Sequence, residues 1–302
     1  MSNNKNKSMK NIDVKNNILP ISVLISSIIL SGAWIYTTRQ KTTTQQIGQI
    51  DSALEEVLPS EGVILPIVWG DIGSKLVRTG VIDAEKLRAT YVQRNAFSEE
   101  YETLLSGQSN EKLKITASNA GYLLNLFWAL GLGNKNEILE KGEMINPKYG
   151  GAGNFASTGG WTIAQGGAMD HYGRHKFFDL TPEQQNLVDK ISSGIYRPCC
   201  NNSTHFPDCN HGMAMLGLLE LMASQGVGEQ DMWKTALVVN SYWFPNNYLT
   251  IASYMESKGI DWKDVNPQEM LGIDYSSASG YARIADQVTT PKDSRGGNGC
   301  SV

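Results

Sequence analysis

The sequence has no cysteine before residue 199, no Gly-Lys-Ser/Thr phosphate loop, no Gly-x-Ser-x-Gly and no His-Glu-x-x-His. The first absence excludes a lipoprotein anchor at the N-terminus, and the others leave phosphate-loop and hydrolase chemistry without a motif to stand on. No internal repeat and no run of alternating apolar and polar residues are present, so the expected fold class is all-α. An excess of basic charge is missing as well: the net charge is -4 and the pI about 5.6, which argues against nucleic acid as a partner. What remains, 41% hydrophobic and 19% charged residues, is the composition of a folded globular chain. At 302 residues it can bury a core without disulfide staples, so its four cysteines need another explanation.

The net charge conceals a division. Residues 1–41 carry six basic side chains (Lys5, Lys7, Lys10, Lys15, Arg39 and Lys41) against Asp13, or +5, leaving -9 for the remainder. Between these basic groups, Ile18 to Tyr36 is a 19-residue run without a charged side chain. As a helix it would extend roughly 28 Å, about the hydrocarbon thickness of a bilayer, with Trp34 and Tyr36 at an interface. The lysines ahead of it place the N-terminus in the cytoplasm and the bulk of the chain outside. A cleavable signal peptide is the alternative reading, with Ser31-Gly32-Ala33 as the small-residue site. The expected organisation is thus a basic cytoplasmic stretch (1–17), a transmembrane anchor or signal peptide (18–36), a linker (37–46), a helical extracytoplasmic domain (47–288) and a flexible tail (289–302). This is a single-pass protein of the cell membrane whose membrane partner is the N-terminal helix.

Within that domain, apolar spacing of three to four predicts helices over 47–57, from Ile72 to Gly80, from Asp83 onward, and over 98–105 with a Ser98 cap. Thr116 to Leu132 is apolar on nearly every face and predicts a central core helix. The patch from Leu65 to Gly70 is read as the lead-in to the next helix. Seven glycines between Gly150 and Gly167 predict an irregular loop that packs Phe155 and Trp161 on the core. Thr181-Pro182-Glu183-Gln184 is a helix start, and further helices are expected over 211–225, 231–244 and 247–258, the last two broken at Pro245, with one more after Ser276.

The chemistry concentrates in one place. All four histidines and three of the four cysteines lie between His171 and His211, seven of eight soft-ligand residues in 41 positions where chance would put about one. Thiolates and imidazoles at short loop spacing ahead of a helix start suit a tetrahedral metal site, because the loop bends around the ion and the helix N-terminus stabilises thiolate charge. Cys199, Cys200, Cys209 and His211 are the expected main ligands, and His205, His171 and His175 the further candidates. His171 and His175 stand four residues apart and would share a face if 168–177 is helical, with Asp170 able to orient an imidazole. Softness admits zinc or copper; Met213 and Met215 would favour copper if they ligate and are core fillers otherwise.

Two other readings of the same residues stay open. Outside the cytoplasm Cys199 or Cys200 can pair with Cys209, giving a disulfide-stabilised envelope domain in which Trp243 and Tyr248 could form a contact surface. A thiol- or metal-dependent redox enzyme would instead use one cysteine with His205 or His211 as base and Asp208 as orienting acid. The string Tyr196-Arg197-Pro198-Cys199-Cys200, followed by His205 and Asp208-Cys209, resembles the signature of a bacterial envelope family named after its PCYCGC motif. Asn201 and Asn202 stand where that family has Cys-Gly-Cys. Over about 15 residues, the resemblance implies a Cys/His site outside the cell.

Overall fold

The computed structural model describes residues 54–288 together with Tyr36. The basic N-terminus, the rest of the 18–36 segment, the linker and the 289–302 tail with Cys300 lie outside the described residues. So does the first part of the 47–57 helix, of which residues 54–57 are helical. Among the described residues no helix is long and apolar enough to cross a membrane.

In chain order the labelled elements are β1 (Val63–Gly70), α1 (Ile72–Arg78), α2 (Ala84–Val92), α3 (Glu99–Ser106), β2 (Ser109–Ile115), α4 (Ala120–Gly133), α5 (Pro182–Gly194), α6 (Asn210–Ser224), α7 (Glu229–Trp243), α8 (Pro245–Ser257) and α9 (Ala278–Ala285), with several one-turn helices between them. Helix starts follow the side chains that cap them. Asp83 accepts the amides of Glu85 and Lys86, Ser98 accepts that of Tyr101, and Thr181 and Gln184 cap each other's backbone ahead of Pro182. Gly80, at φ +79°, provides the left-handed turn that stops α1.

The fold is mostly helical, and the all-α expectation needs correction: β1 and β2 pair as an antiparallel ribbon. Leu65, Ile67 and Trp69 point inward from β1, but the outward positions are Ile64, Pro66 and Val68, so the segment reads as one apolar patch and its alternation is hidden. The register shifts between Ile64 and Val68, around a proline with no N–H for the ladder. The side-chain amide of Gln225 then donates to the carbonyl of Val68 (2.7 Å) and accepts its N–H (2.9 Å), substituting for a neighbouring strand.

Helix α4 is buried at all but one of its positions and packs along α6, which is buried from Asn210 to Ala223. The two backbones come unusually close at two glycines. A Cβ on Gly217 would collide with the carbonyl of Phe127 and lie 2.6 Å from the amide nitrogen of Gly131; one on Gly131 would collide with the carbonyl of Met213. This crossing fixes α6 in the core, and with it the position of Cys209 at its start. The glycine-rich segment is irregular as expected, and it buries Trp161 against Trp128 with ring centroids 4.8 Å apart. Tyr248 is fully buried and Trp243 donates its Nε1–H to the carbonyl of Ala120. Tyr248 therefore serves the interior, and Trp243 is partly buried against it.

Candidate metal centre

The centre is built where a loop meets the N-terminus of α6. Residues 195–209 are tied down along their length: Tyr196 N–H to the carbonyl of Leu271, Thr204 N–H to Ile195, His205 N–H to Ser192, and Ala278 N–H to the carbonyl of Cys200. Asn201 accepts the amide of Ser279 at the start of α9. With the backbone held this way, the side chains of the loop converge inward.

Cys209 is the N-cap residue of α6, in place of the usual serine or aspartate, and its sulfur accepts the amide of Gly212 at 3.4 Å. Arg197, fully buried, donates Nε–H to the same sulfur at 3.2 Å. Its other nitrogens donate to the carbonyl of Asn202 (2.9 Å), the carbonyl of Phe206 (3.3 Å) and Oδ1 of Asp208 (2.7 Å). Asp208 also accepts from Asn202 Nδ2 at 2.7 Å. One guanidinium therefore folds the loop around itself and places a positive charge against Cys209. Sequence reasoning did not single out Arg197; the available signal was a guanidinium two residues before a pair of candidate thiolates.

Three potential ligands meet around Cys209. The sulfurs of Cys199 and Cys209 are 3.6 Å apart, and together with a ring nitrogen of His211 they lie within 4.8 Å of one another. Cys200, Asp208 and Cys209 form a second such group that shares the Cys209 sulfur. His211 is buried against the rings of Phe244 (centroids 4.4 Å apart) and Trp243 (6.0 Å). Its Nδ1 makes no hydrogen bond of ordinary geometry among the described residues. A buried imidazole beside two sulfurs has the donor set of a metal site. Cys/His/Asp groups close enough to hold a metal ion are thus present.

The sulfurs are electrostatically unequal. Contacts from Cys199 and Cys200, then the charge of Arg197 and the neighbouring His211, hold the Cys209 thiol well below the usual thiol range against the opposing effect of burial. The same contacts with Cys200 and Cys209, with burial, push Cys199 strongly upward. For Cys200 the contact with Cys199 lowers the value, but Cys209 and burial outweigh it and carry the thiol up to about 11. By these directions Cys209 is the most acidic of the three sulfurs.

The other predicted ligands lie elsewhere. His205 is half-exposed, with Nε2 3.8 Å from Asp189 Oδ1, and belongs to neither group. Residues 168–177 are not a continuous helix, contrary to the condition set for His171 and His175: a short 3-10 turn over Ala168–Asp170 is followed by turns, and His175 pairs by its backbone with Asn134. The reason is visible in the bonds: the amides of Gly173 and His175 are drawn to the free carbonyls of Leu132 and Gly133 at the end of α4. The two imidazoles still meet, Nδ1 of His171 to Nε2 of His175 at 3.0 Å, while Nε2 of His171 faces the carbonyl of Gln165 at 2.8 Å. Since that carbonyl can only accept, Nε2 of His171 is the donor, and in the neutral pair His175 donates to His171. They form a proton-sharing pair, separate from the cysteine groups. Asp170 accepts the amide of Gly167 at 2.8 Å and caps the turn. Met213 and Met215 are completely buried core residues.

Comparison of the chain with family models, with curated proteins and with solved structures gives no match.

Proposed function

We propose that this protein binds a transition metal through Cys199, Cys209 and His211, with Cys200 completing the shell, and that zinc is the ion it suits best. The observation that carries this reading is the convergence of two sulfurs and a ring nitrogen of His211 within 4.8 Å of one another at a buried helix start. Zinc takes Cys and His ligands in tetrahedral geometry, and three thiolates around Zn²⁺ carry one net negative charge, which the buried Arg197 offsets. Copper is the second candidate by softness, but burial of Met213 and Met215 in the core takes away the thioethers that favoured it. With the charge-free 18–36 segment as anchor, we place the centre outside the cytoplasm of a single-pass membrane protein.

The test uses the full chain, solubilised in detergent and purified under reducing conditions. Metal analysis is expected to return one zinc per chain, reduced to background in Cys209→Ser and in His211→Ala. Absence of stoichiometric zinc or copper from the reduced protein overturns the reading.

A further inference from the structure

A metal ion and a disulfide would compete for the same two sulfurs. Cys199 Sγ and Cys209 Sγ are in contact at 3.6 Å, and a disulfide bond of about 2.05 Å needs an approach of about 1.6 Å more. The two thiols are fixed to different degrees. Cys209 is buried and held by the Gly212 amide and by Arg197. Cys199 is partly exposed, in the turn closed by the Cys200 amide on the carbonyl of Arg197. The side chain that can move is therefore also the one that solvent reaches. Cys200 has its own contacts, 3.9 Å to the carbonyl of Asn202 and 4.0 Å to Asp208, which hold it toward the loop.

We propose that Cys199 and Cys209 form an exchange pair for disulfides of small thiols, and that their oxidation expels the metal. The proposal rests on the metal reading for its second half alone. Cys199 passes its proton to the adjacent Cys209 sulfur, 3.6 Å away, and attacks one sulfur of an external disulfide RSSR; the S–S bond breaks, and the departing RS⁻ takes that proton from Cys209, which is left as the thiolate. Cys209 then attacks the Cys199 sulfur of the mixed disulfide, the Cys199–Cys209 bond forms, and the second RS⁻ leaves to be protonated by water. Two electrons pass from the protein to RSSR, which becomes two RSH. The joined sulfurs are no longer thiolate ligands, and both candidate groups lose Cys209, the sulfur they share, so neither keeps the three donors that would hold zinc. Excess RSH reverses each step and restores the site. Arg197 and the helix start keep Cys209 in place throughout, so the loop, not the core, accommodates the change.

The test titrates the zinc-loaded full chain with glutathione disulfide, following zinc release with a chromogenic chelator and mapping disulfides by mass spectrometry. The expected result is one zinc released for each Cys199–Cys209 bond, reversal by excess reduced glutathione and added zinc, and, by disulfide mapping alone, the same Cys199–Cys209 bond in Cys200→Ser. Zinc that stays bound under oxidation, or a disulfide mapped to Cys200 or Cys300 instead, overturns the proposal while leaving metal binding intact. A chain that never held metal yet forms the Cys199–Cys209 bond upholds the exchange pair and sinks the metal reading. Cys199→Ser provides a control that keeps the buried Cys209: it is expected to form no intramolecular bond, and an equally fast one there also overturns the proposal.

Discussion

Arg197 donates its Nε–H to the sulfur of Cys209 across 3.2 Å, inside the protein and 12 residues away in sequence. This contact joins the two ends of the loop that carries the candidate ligands. It makes the loop's fold and the charge on Cys209 one property. Replacing Arg197 by Met removes a buried cation whose partners, Asp208 and the Cys209 sulfur, would then be left uncompensated. Loss of a buried ionic partner costs about 3–5 kcal/mol, and urea denaturation is expected to show a decrease of that order. Arg197→Lys should not restore stability, because one ammonium cannot reach the four acceptors that the guanidinium fork serves.

Glycines on the two central helices should separate cleanly by position. Gly212→Ala places a Cβ 2.5 Å from Arg197 Nη2 and displaces the guanidinium, whereas Gly217→Ala wedges α4 and α6 apart. Each is expected to lose about 1–3 kcal/mol or more from overpacking. Gly121→Ala, exposed on α4 with nothing within 4 Å of the new methyl, should instead stabilise by about 0.5–1 kcal/mol. Thermal melting of the three variants checks the order, and equal effects at Gly121 and Gly217 would contradict the proposed crossing.

Glu220 is fully buried on α6, bonded to Asn134 Nδ2 at 3.0 Å, with Oε1 unpartnered among the described residues. Burial raises its pKa well above the ordinary 4.5. The folded form therefore holds a proton that the unfolded chain gives up. Its stabilising effect is complete below about pH 4.5 and is lost as pH rises toward the elevated native value, at about 1.4 kcal/mol per pH unit. Glu220→Gln should flatten this slope, so wild type minus variant stability is expected to fall between pH 5 and 8 in urea titrations. A constant difference across that range would mean Glu220 is ionised in the fold.

The His175 pKa is lowered by burial first and then by His171 and Arg174. Here the sign is opposite in effect: between the depressed native value and 6.5 the unfolded chain binds the extra proton, so stability falls as pH drops below about 6.5. His175→Gln removes that proton uptake. Melting temperatures from pH 7 to pH 5 should decline less in the variant than in wild type, and an identical decline would assign the acid sensitivity elsewhere.

Much of the helix pattern was legible in the chain because it depends on near neighbours. Ser98, Asp83 and the Thr181–Gln184 box cap where their local sequence says they should, and the 120–133 segment had to be buried because it has no polar face. The β ribbon was not legible: β1 has apolar residues on both sides, and β2 shows only Leu113 and Ile115 inward. The backbone of Val68 is bonded by Gln225, which lies 157 residues away. The histidines were grouped by sequence density, but density does not encode direction. His171 and His175 bond to each other, His205 faces Asp189, and only His211 turns toward the sulfurs.

By itself the sequence determined that seven soft ligands crowd one segment of 41 residues, that the cysteines of that segment stand before a helix start, and that this helix is core. Those are consequences of composition and spacing. Which of the seven share a site was decided by tertiary structure, through two contacts no local pattern specifies. The glycine crossing of α4 and α6 sets where Cys209 stands, and the buried Arg197 draws the loop back onto it. Both act because the interior leaves no room and no water: a missing Cβ admits a neighbouring backbone, and an unsolvated charge must find its partners within the fold.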